Sequence, residues 1–370
     1  MLEDGLNSMY RQALATSHQV WVRVEVLDGQ QQVLESDLVF IDGSVSATLT
    51  SRISRTLTLK VSESLYPYES DGLLAPYGNM IRASRGIELA DGSRFGWVIF
   101  VGRIQDALLN EDGSCQIDAA DFAADVLENR FVRPENSQPV NSISTEVRRL
   151  ISAGFPPATF GLVESFTEPV RTRTWQLDRG QALDELATSG GAFWYPLADG
   201  SFTLRRYPWT VPAVPVVTYS DTGPLGSVSA SRAARSRAEV FNSLTVTGER
   251  LNGDAPVYAL AQDTNPASAT NIYGNFGIRH QMLRLQTPGS SSAAQGAAST
   301  NLRRLVALAD AWAWTMSVDA ALELGDCVRL DVRGRTGIVQ VVASMRVPLG
   351  HGSMQVAGRS LVLGSLEGVE

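Results

Sequence analysis

Apolar residues recur at every second position near the start of this chain, and that period limits what it can fold into. In HQVWVRVEVLDG, Val20, Val22, Val24 and Val26 alternate with Trp21, Arg23 and Glu25 before Asp28-Gly29. An extended backbone sends successive side chains to opposite faces, so the run reads as a half-buried strand entering a hairpin. SRTLTLKVS repeats the period with Leu57, Leu59 and Val61. FGWVIFVGRIQDALL and SCQIDAAD read as further strands. Residues 1–125 are therefore expected to form an antiparallel barrel or sandwich of closely spaced strands.

The segment LLAPYGNMIRASRGIELADG, residues 73–92, sits inside this array and has the look of a phosphate-binding loop. A P-loop needs Gly-x-x-x-x-Gly-Lys-Ser/Thr, and the chain's single lysine, Lys60, lies outside the segment. A dinucleotide fingerprint needs Gly-x-Gly-x-x-Gly, and Gly78, Gly86 and Gly92 are too far apart for it. Pro76, Gly78 and Asn79 instead supply one turn and Asp91-Gly92 a second, with MIRASRGIEL between them as a strand.

The pattern changes near Asp121. DFAADVLENR and STEVRRLISAGF have helical spacing, the second through Val147, Leu150 and Ile151. DRGQALDELATSGG is the best helix signal in the chain. Asp178 is placed to cap it with Gln181 three residues on, Leu183, Leu186 and Ala187 share a face, and Gly190-Gly191 ends it. AFWYPLADGSFTLRRYP reads as a hairpin about Asp199-Gly200, with Phe202 and Leu204 inward. Residues 126–215 thus form an expected α+β unit, and the Pro-rich YPWTVPAVPVV is its exit. Residues 216–370 return to strands in EVFNSLTVTGER and in the tail from LELGDCVRL onward. Within them, QDTNPASATNIYGNFGIRH reads as a long loop (262–280) and SSSAAQGAASTNLRRLVALAD as a helix. The expected fold class is mainly β: two tube-type antiparallel β-barrel or sandwich domains, 1–125 and 216–370, around a small α+β domain, 126–215.

Charge narrows the function. Of 31 basic residues 30 are arginine, spread along the whole chain, which fits a GC-rich genome better than a chemical need. The net charge of −8 is uneven: residues 1–125 carry 9 basic and 18 acidic side chains, while residues 216–370 carry 13 and 12. Such a balance argues against tight nucleic-acid binding, which requires cations to neutralise phosphates. It suits a wall that DNA slides past without sticking. The chain holds no run of 18 apolar residues, so no helical membrane span is expected, and its acidic start lacks the apolar core of a secretory signal. Cys115 and Cys327 fit no zinc spacing and read as buried thiols of a chain folded in a reducing cytoplasm.

Chemistry-bearing constellations are sparse. His18, His280 and His351 are the only histidines, none within helical reach of another, and no Gly-x-Ser-x-Gly elbow occurs. Asp178, Asp184 and Glu185 are best read as a cap and a solvated helix face. Phe193-Trp194-Tyr195 with Tyr207 and Trp209 has the composition of a sugar-stacking platform, but the core and rim of a hairpin is the stronger reading. Arg232, Arg235 and Arg237 cluster before a strand, as a solvated turn or as a contact with an acidic neighbouring subunit. No catalytic, cofactor-binding or metal-ligating residue is assigned.

Seven stretches, in order along most of the chain, resemble the tail hub (baseplate hub, minor tail) proteins of long-tailed siphophages, especially those infecting actinobacteria. They are SHQVWVRVEVLDG, IDGSVSATLTSRISRTLTLKV, LLAPYGNMIRASRGIELADG, WQLDRGQALDELATSGGAFWYPLADGSFTLRR, EVFNSLTVTGE, LELGDCVRL and VPLGHGSMQVAGRS. The GC-rich coding of such phages accounts for the arginine bias. The resemblance implies a homotrimer in which each chain gives two tube-type β-domains to a pseudo-sixfold ring. That ring adapts a sixfold tail tube to a threefold tip and lines the channel for DNA ejection. It implies a virion protein of the tail tip, made in the bacterial host cytoplasm. The implied partners are itself, tail-tube ring proteins, tip or fibre proteins and the tape-measure protein. DNA would pass without specific binding, and neither membrane nor cofactor is involved. A role of this kind needs no catalytic group, and the end of the sequence near MQVAGRSLVL suggests the bare hub core. Two alternatives stand beside it: a tail-associated cell-wall hydrolase, and a carbohydrate-binding receptor module of the tail tip.

Overall fold

Alternating residues become alternating faces throughout the first third. In a computed structural model of the chain, the described residues are 9–14, 18–138, 141–166, 170, 172–176, 178–206, 210–211, 214–222, 227–248, 256–286, 288, 290–307, 311–360 and 362–363. The first strands are β1 (His18–Leu27), β2 (Val33–Glu35), β3 (Asp42–Thr48), β4 (Arg55–Ser62), β5 (Met80–Leu89), β6 (Arg94–Leu109) and β7 (Ser114–Asp121). They pair antiparallel in the order β2-β1-β5-β6-β7-β4-β3. Leu57, Leu59 and Val61 of β4 are fully buried, while the alternate Thr56, Thr58 and Ser62 are exposed and Lys60 is half-buried. The link from β2 to β3 bonds to both flanks of the array: Leu38 N–H donates to Val24 O (2.8 Å) and Ile41 N–H to Lys60 O (2.7 Å). The segment 73–92 is turn and strand, as its sequence indicates. Asn79 donates to the carbonyls of Gly72 and Leu73, Gly92 takes a positive φ of 81°, and β5 runs between.

The middle third adds α1 (Ala123–Glu128), β8 (Glu135–Asn136), α2 (Ile143–Gly154), β9 (Phe160–Val163), β10 (Thr174–Trp175), α3 (Arg179–Ser189), β11 (Ala192–Pro196) and β12 (Phe202–Arg206). Ser142 caps α2 by accepting from Thr145 N–H, and Asp178 caps α3 by accepting from Gln181 N–H (3.1 Å). Leu150 and Ile151 of α2 and Leu183 and Leu186 of α3 share a core with Phe122, Phe155, Phe202 and Leu204. At the β11–β12 turn Gly200 has φ 84°, and a Cβ there would lie 2.6 Å from the Phe122 ring, so backbone conformation and packing both require glycine. Glu146 is completely buried on α2, bonded by Arg149, Asn141 and Trp175. Of the Pro-rich exit, residues 207–209 and 212–213 lie outside the described residues.

The last third supplies β13 (Thr210–Val211), β14 (Val217–Ser220), β15 (Val228–Ala234), β16 (Ser243–Gly248), β17 (Val257–Gln262), β18 (His280–Leu285), α4 (Ser291–Val306), β19 (Ala311–Met316), β20 (Cys327–Val332), β21 (Arg335–Pro348), β22 (Met354–Ser360) and β23 (Val362–Leu363). Strands β17-β16-β18 form a separate sheet, in which β16 and β18 are parallel. Ala294, Ala298 and Leu302 of α4 and Leu244 and Val246 of β16 belong to one buried cluster. The polar stretch between β17 and β18 is a loop whose side chains bond one another. Asp263 accepts from Ser268 and Thr270, and Asn242 donates to the carbonyls of Thr270 and Gly277.

One pairing joins the two ends of the chain. β21 runs antiparallel to β3 with Val347 opposite Val45 and Arg346 opposite Ser46. The strands β15-β19-β22-β21-β3-β4-β7-β6-β5-β1-β2 thus form one hydrogen-bonded path, with β20 and β14 attached through β21. Arg85 of β5 strengthens the joint from beneath by donating to the carbonyls of Pro348 (2.6 Å), Leu349 (2.6 Å) and Gly350 (2.9 Å). The fold is mainly β with a small α+β part, as the alternating and helical periods indicate. Leu59→Ala, in the middle of β4, is expected to cost about 2–5 kcal/mol through lost burial and a residual cavity. A urea unfolding midpoint that does not move would contradict this packing.

Candidate functional site

The segment 317–326, between β19 and β20, gathers charged and phenolic groups from all three parts of the chain. From the helical residues 9–14, Arg11 Nε donates to Asp319 (2.8 Å), and the Tyr10 hydroxyl accepts from Ala320 N–H (3.0 Å). From β14, the Tyr219 hydroxyl donates to the same Asp319 carboxylate (2.7 Å). From β4, the buried Arg55 guanidinium pairs with Glu323. From β11 and β12, the Tyr195 hydroxyl and Arg205 both donate to Leu324 O (3.1 Å each). Arg11, Arg55, Arg205, Tyr219, Asp319 and Glu323 border a cavity of about 1330 Å³ that Trp97, Leu197 and Val347 also line.

Burial sets the protonation of this junction. It raises the Tyr10 and Tyr219 hydroxyls, with the Asp319 charge adding to the shift, so both stay neutral donors or acceptors. Burial pushes Asp326 up to about 6 against the pull of Arg205 and Arg11. Asp121, which shares Arg55 as a charged neighbour, accepts from Ser54 Oγ, Arg55 N–H and Ala123 N–H, yet burial still pushes it up to about 6. Asp319 is committed to Arg11, Tyr219 and the backbone N–H of Ala321. A carboxylate whose oxygens already accept from three protein donors acts as a latch rather than as a base for substrate.

The candidates from the sequence settle elsewhere. Trp194 and Tyr195 are buried, and Trp194 Nε1 donates to Asp184 (2.9 Å). Arg304 covers the Phe193 ring at 4.9 Å. The trio therefore belongs to the hairpin's core and rim and offers no stacking platform; Tyr207 and Trp209 lie outside the described residues. Asp178 is the cap, Asp184 pairs with Arg52 (2.7 Å), and Glu185 accepts from Gln286 N–H. Cys115 and Cys327 are free and buried, and burial raises Cys327 to about 11, so both behave as small hydrophobes. His280 Nδ1 shares a hydrogen bond with Ser243 Oγ, while His18 and His351 border a small cleft with Arg85. Among the described residues no group of three or more His, Cys, Asp or Glu is arranged to hold a metal. Arg232, Arg235 and Arg237 are exposed, and Arg237 lies over Phe276 at 5.1 Å.

The long strand path leaves one face uncovered across the β3–β21 joint. Opposed pairs on that face include Thr58 with Ser44, Thr56 with Ser46, Ser46 with Arg346, Ser344 with Thr48, Gln355 with Thr315 and Ala357 with Ala313. Part of this face, from Ser46 and Thr48 across Ser344 and Gln355 to Ala313, Thr315 and Ser231, forms a shallow groove of about 480 Å³ that Arg232 and Arg346 also line. Its N-terminal side continues to Asp118, which accepts from Thr58 and Gln116, and to Asp106 opposite it. Sequence reading missed both this face and the 317–326 junction. Alternation marks an outward face but not its neighbour across the joint, and Arg11 and Asp319 are separated by 308 residues.

No protein-family model matches the chain, and no curated protein matches it by sequence. Solved structures match its fold over nearly the whole length. A tail protein from Neisseria meningitidis MC58 superposes with a TM-score of 0.63 at 13% identity, covering 92% of this chain and 96% of that one. The 43 kDa tail protein of prophage MuSo2 from Shewanella oneidensis gives 0.58 at 14% identity, covering 91% and 98%. Prophage tail protein gp18 from Listeria monocytogenes EGD-e gives 0.54 at 11% identity, covering 91% and 94%. At such identities the likeness is one of fold, and it covers about nine-tenths of the chain.

The junction generates a pH dependence. Asp121 and Asp326 are raised on folding to about 6. Their stabilising contribution is therefore full below about pH 4 and is lost as pH rises through about 6. The melting temperature is expected to be higher at pH 5 than at pH 7, and Asp326→Asn is expected to shrink that difference. A melting temperature that rises from pH 5 to pH 7 would overturn the assignment.

Proposed function

We propose that this protein is a structural component of a phage tail: the hub of the tail tip, in which three copies close a ring around a channel. The observation that carries the reading is the single strand path uniting the first and last thirds, in a fold shared end to end with tail proteins. Two β-modules fixed side by side in each chain give six in a trimer. Such a ring can meet a sixfold tube on one side and a threefold tip on the other. The units are residues 1–125, 126–215 and 216–370, with the middle unit packed outside the tube modules. Neighbouring tail-tube, tape-measure and tip or fibre proteins are its partners in the virion. Assembly proceeds through broad protein surfaces rather than a reacting centre, so no enzymatic step is assigned.

The open sheet face is the bore wall in this reading. Its side chains are mostly serine, threonine, glutamine and alanine, its groove carries the two arginines Arg232 and Arg346, and Lys60 on β4 is held by Asp112 (2.7 Å). Asp106 and Asp118 add local repulsion, in keeping with the acidity of the first third. DNA is thereby confined without counterion-releasing contacts that would arrest it. Light scattering on the purified protein is expected to give three times the 39.9 kDa of one chain. A monomer at all concentrations, or clearing of host peptidoglycan in a zymogram, would overturn the proposal.

A further inference from the structure

Charge is segregated between the two terminal strands of the long path. Residues 24–51 contain Glu25, Asp28, Glu35, Asp37 and Asp42 and no basic residue; residues 222–238 contain Arg232, Arg235 and Arg237 and no acidic one. Glu25 pairs inside the sheet with Arg82 (2.6 Å) and Asp28 accepts from its own turn; Glu35, Asp37 and Asp42 lie toward the surface, Glu35 accepting from the N–H groups of Ser36 and Asp37 and Asp42 from that of Gly43. Around these acids four bulky apolar side chains protrude: Val33, Leu34, Val39 and Ile41, the last two 80% and 62% exposed. Around the arginines most exposed neighbours are small, Ala230, Ala233, Ala234, Ser236 and Ala238, with the exposed Glu239 at the far end of the segment. Among the described residues β2 pairs only with β1 and β15 only with β19, so each presents one strand edge without a strand partner. Arg333 covers a single carbonyl of the β15 edge, that of Ser231.

We infer that the acidic, apolar shoulder at residues 33–42 of one copy docks on the arginine–alanine shoulder at residues 230–238 of the next copy, fixing a head-to-tail order. The occupant is a second copy because the two patches complement each other in sign and in relief. Protruding valine, leucine and isoleucine side chains meet a low alanine shelf, and carboxylates meet guanidinium groups. Contact between two acidic shoulders or two arginine shoulders is repelled, so the same charges exclude the head-to-head and tail-to-tail alternatives. Two different patches of one surface make a heterologous contact, which repeats from copy to copy and closes into a ring when the rotation allows. The inference rests on the ring reading above and adds its polarity and its contact residues.

The test uses the full chain and three variants. The first is Glu35→Arg with Asp37→Arg, the second is Arg232→Glu, Arg235→Glu and Arg237→Glu, and the third carries all five exchanges. Every site lies at or near the surface, and circular dichroism with thermal melting checks that each variant folds. Each single-patch reversal is expected to raise the dissociation concentration of the assembly by about tenfold or more, and the five-fold exchange to restore it. Mixing the two single-patch variants adds a parity test. Their contacts are satisfied only in strict alternation, so they are expected to form even-numbered assemblies and no trimer. A wild-type ring unaffected by either reversal, or reversals that the full exchange fails to rescue, would overturn the inference and leave the ring reading standing. A wild-type chain that never assembles would overturn both.

Discussion

The antiparallel pairing of β3 with β21 is the constraint on which the remaining structure depends. It places Val45 against Val347 inside the sheet and joins strands from the first and last thirds of the chain into one ladder. Backbone amides in the middle of a sheet need partners, since an orphaned buried donor or acceptor costs about 1–3 kcal/mol. The first and last thirds of the chain therefore satisfy an edge of each other. Arg85 braces the same joint by donating to three successive carbonyls at the end of β21, those of Pro348, Leu349 and Gly350. A fixed spacing of the first and last thirds follows from this bonding, and a fixed spacing is what the proposed ring would require.

The 317–326 segment works as a clasp beneath that sheet. It collects Arg11, Tyr219, Arg55, Tyr195 and Arg205, side chains that no short-range pattern connects. Buried charges are seldom a net source of stability, because desolvation offsets their attraction. Their value here is geometric: an Arg–carboxylate pair fails unless both partners arrive in place, so the clasp ties the N-terminal residues, the α+β unit and the last third to one arrangement.

Much of the fold is legible from local periods. Leu57, Leu59 and Val61 are buried because a strand turns every second side chain inward, and Asp178 caps its helix because a short carboxylate reaches the backbone N–H of Gln181. The hairpin about Gly200 and the loop before β18 are equally plain. What the sequence hides is partnership at long range. The parallel pairing of β16 with β18, the joint at β3–β21 and the choice of Arg11 as the partner of Asp319 depend on contacts between segments far apart in the chain. Glu146 shows the same limit at a single site: it occupies an ordinary position in a helical run, and only the arrival of Trp175, Asn141 and Arg149 makes its burial tolerable.

The joint between modules is tested most directly by a paired-cysteine measurement. Ser46 and Arg346 stand opposite each other across β3 and β21. Directly opposed positions in an antiparallel ladder have Cα atoms about 4.5–5.5 Å apart, within the reach of a disulfide. The chain with Ser46→Cys and Arg346→Cys should form an intramolecular disulfide under mild oxidation, seen as faster migration on a non-reducing gel, while either single variant should not. A folded double variant that stays fully reduced under the same oxidation would contradict the shared sheet.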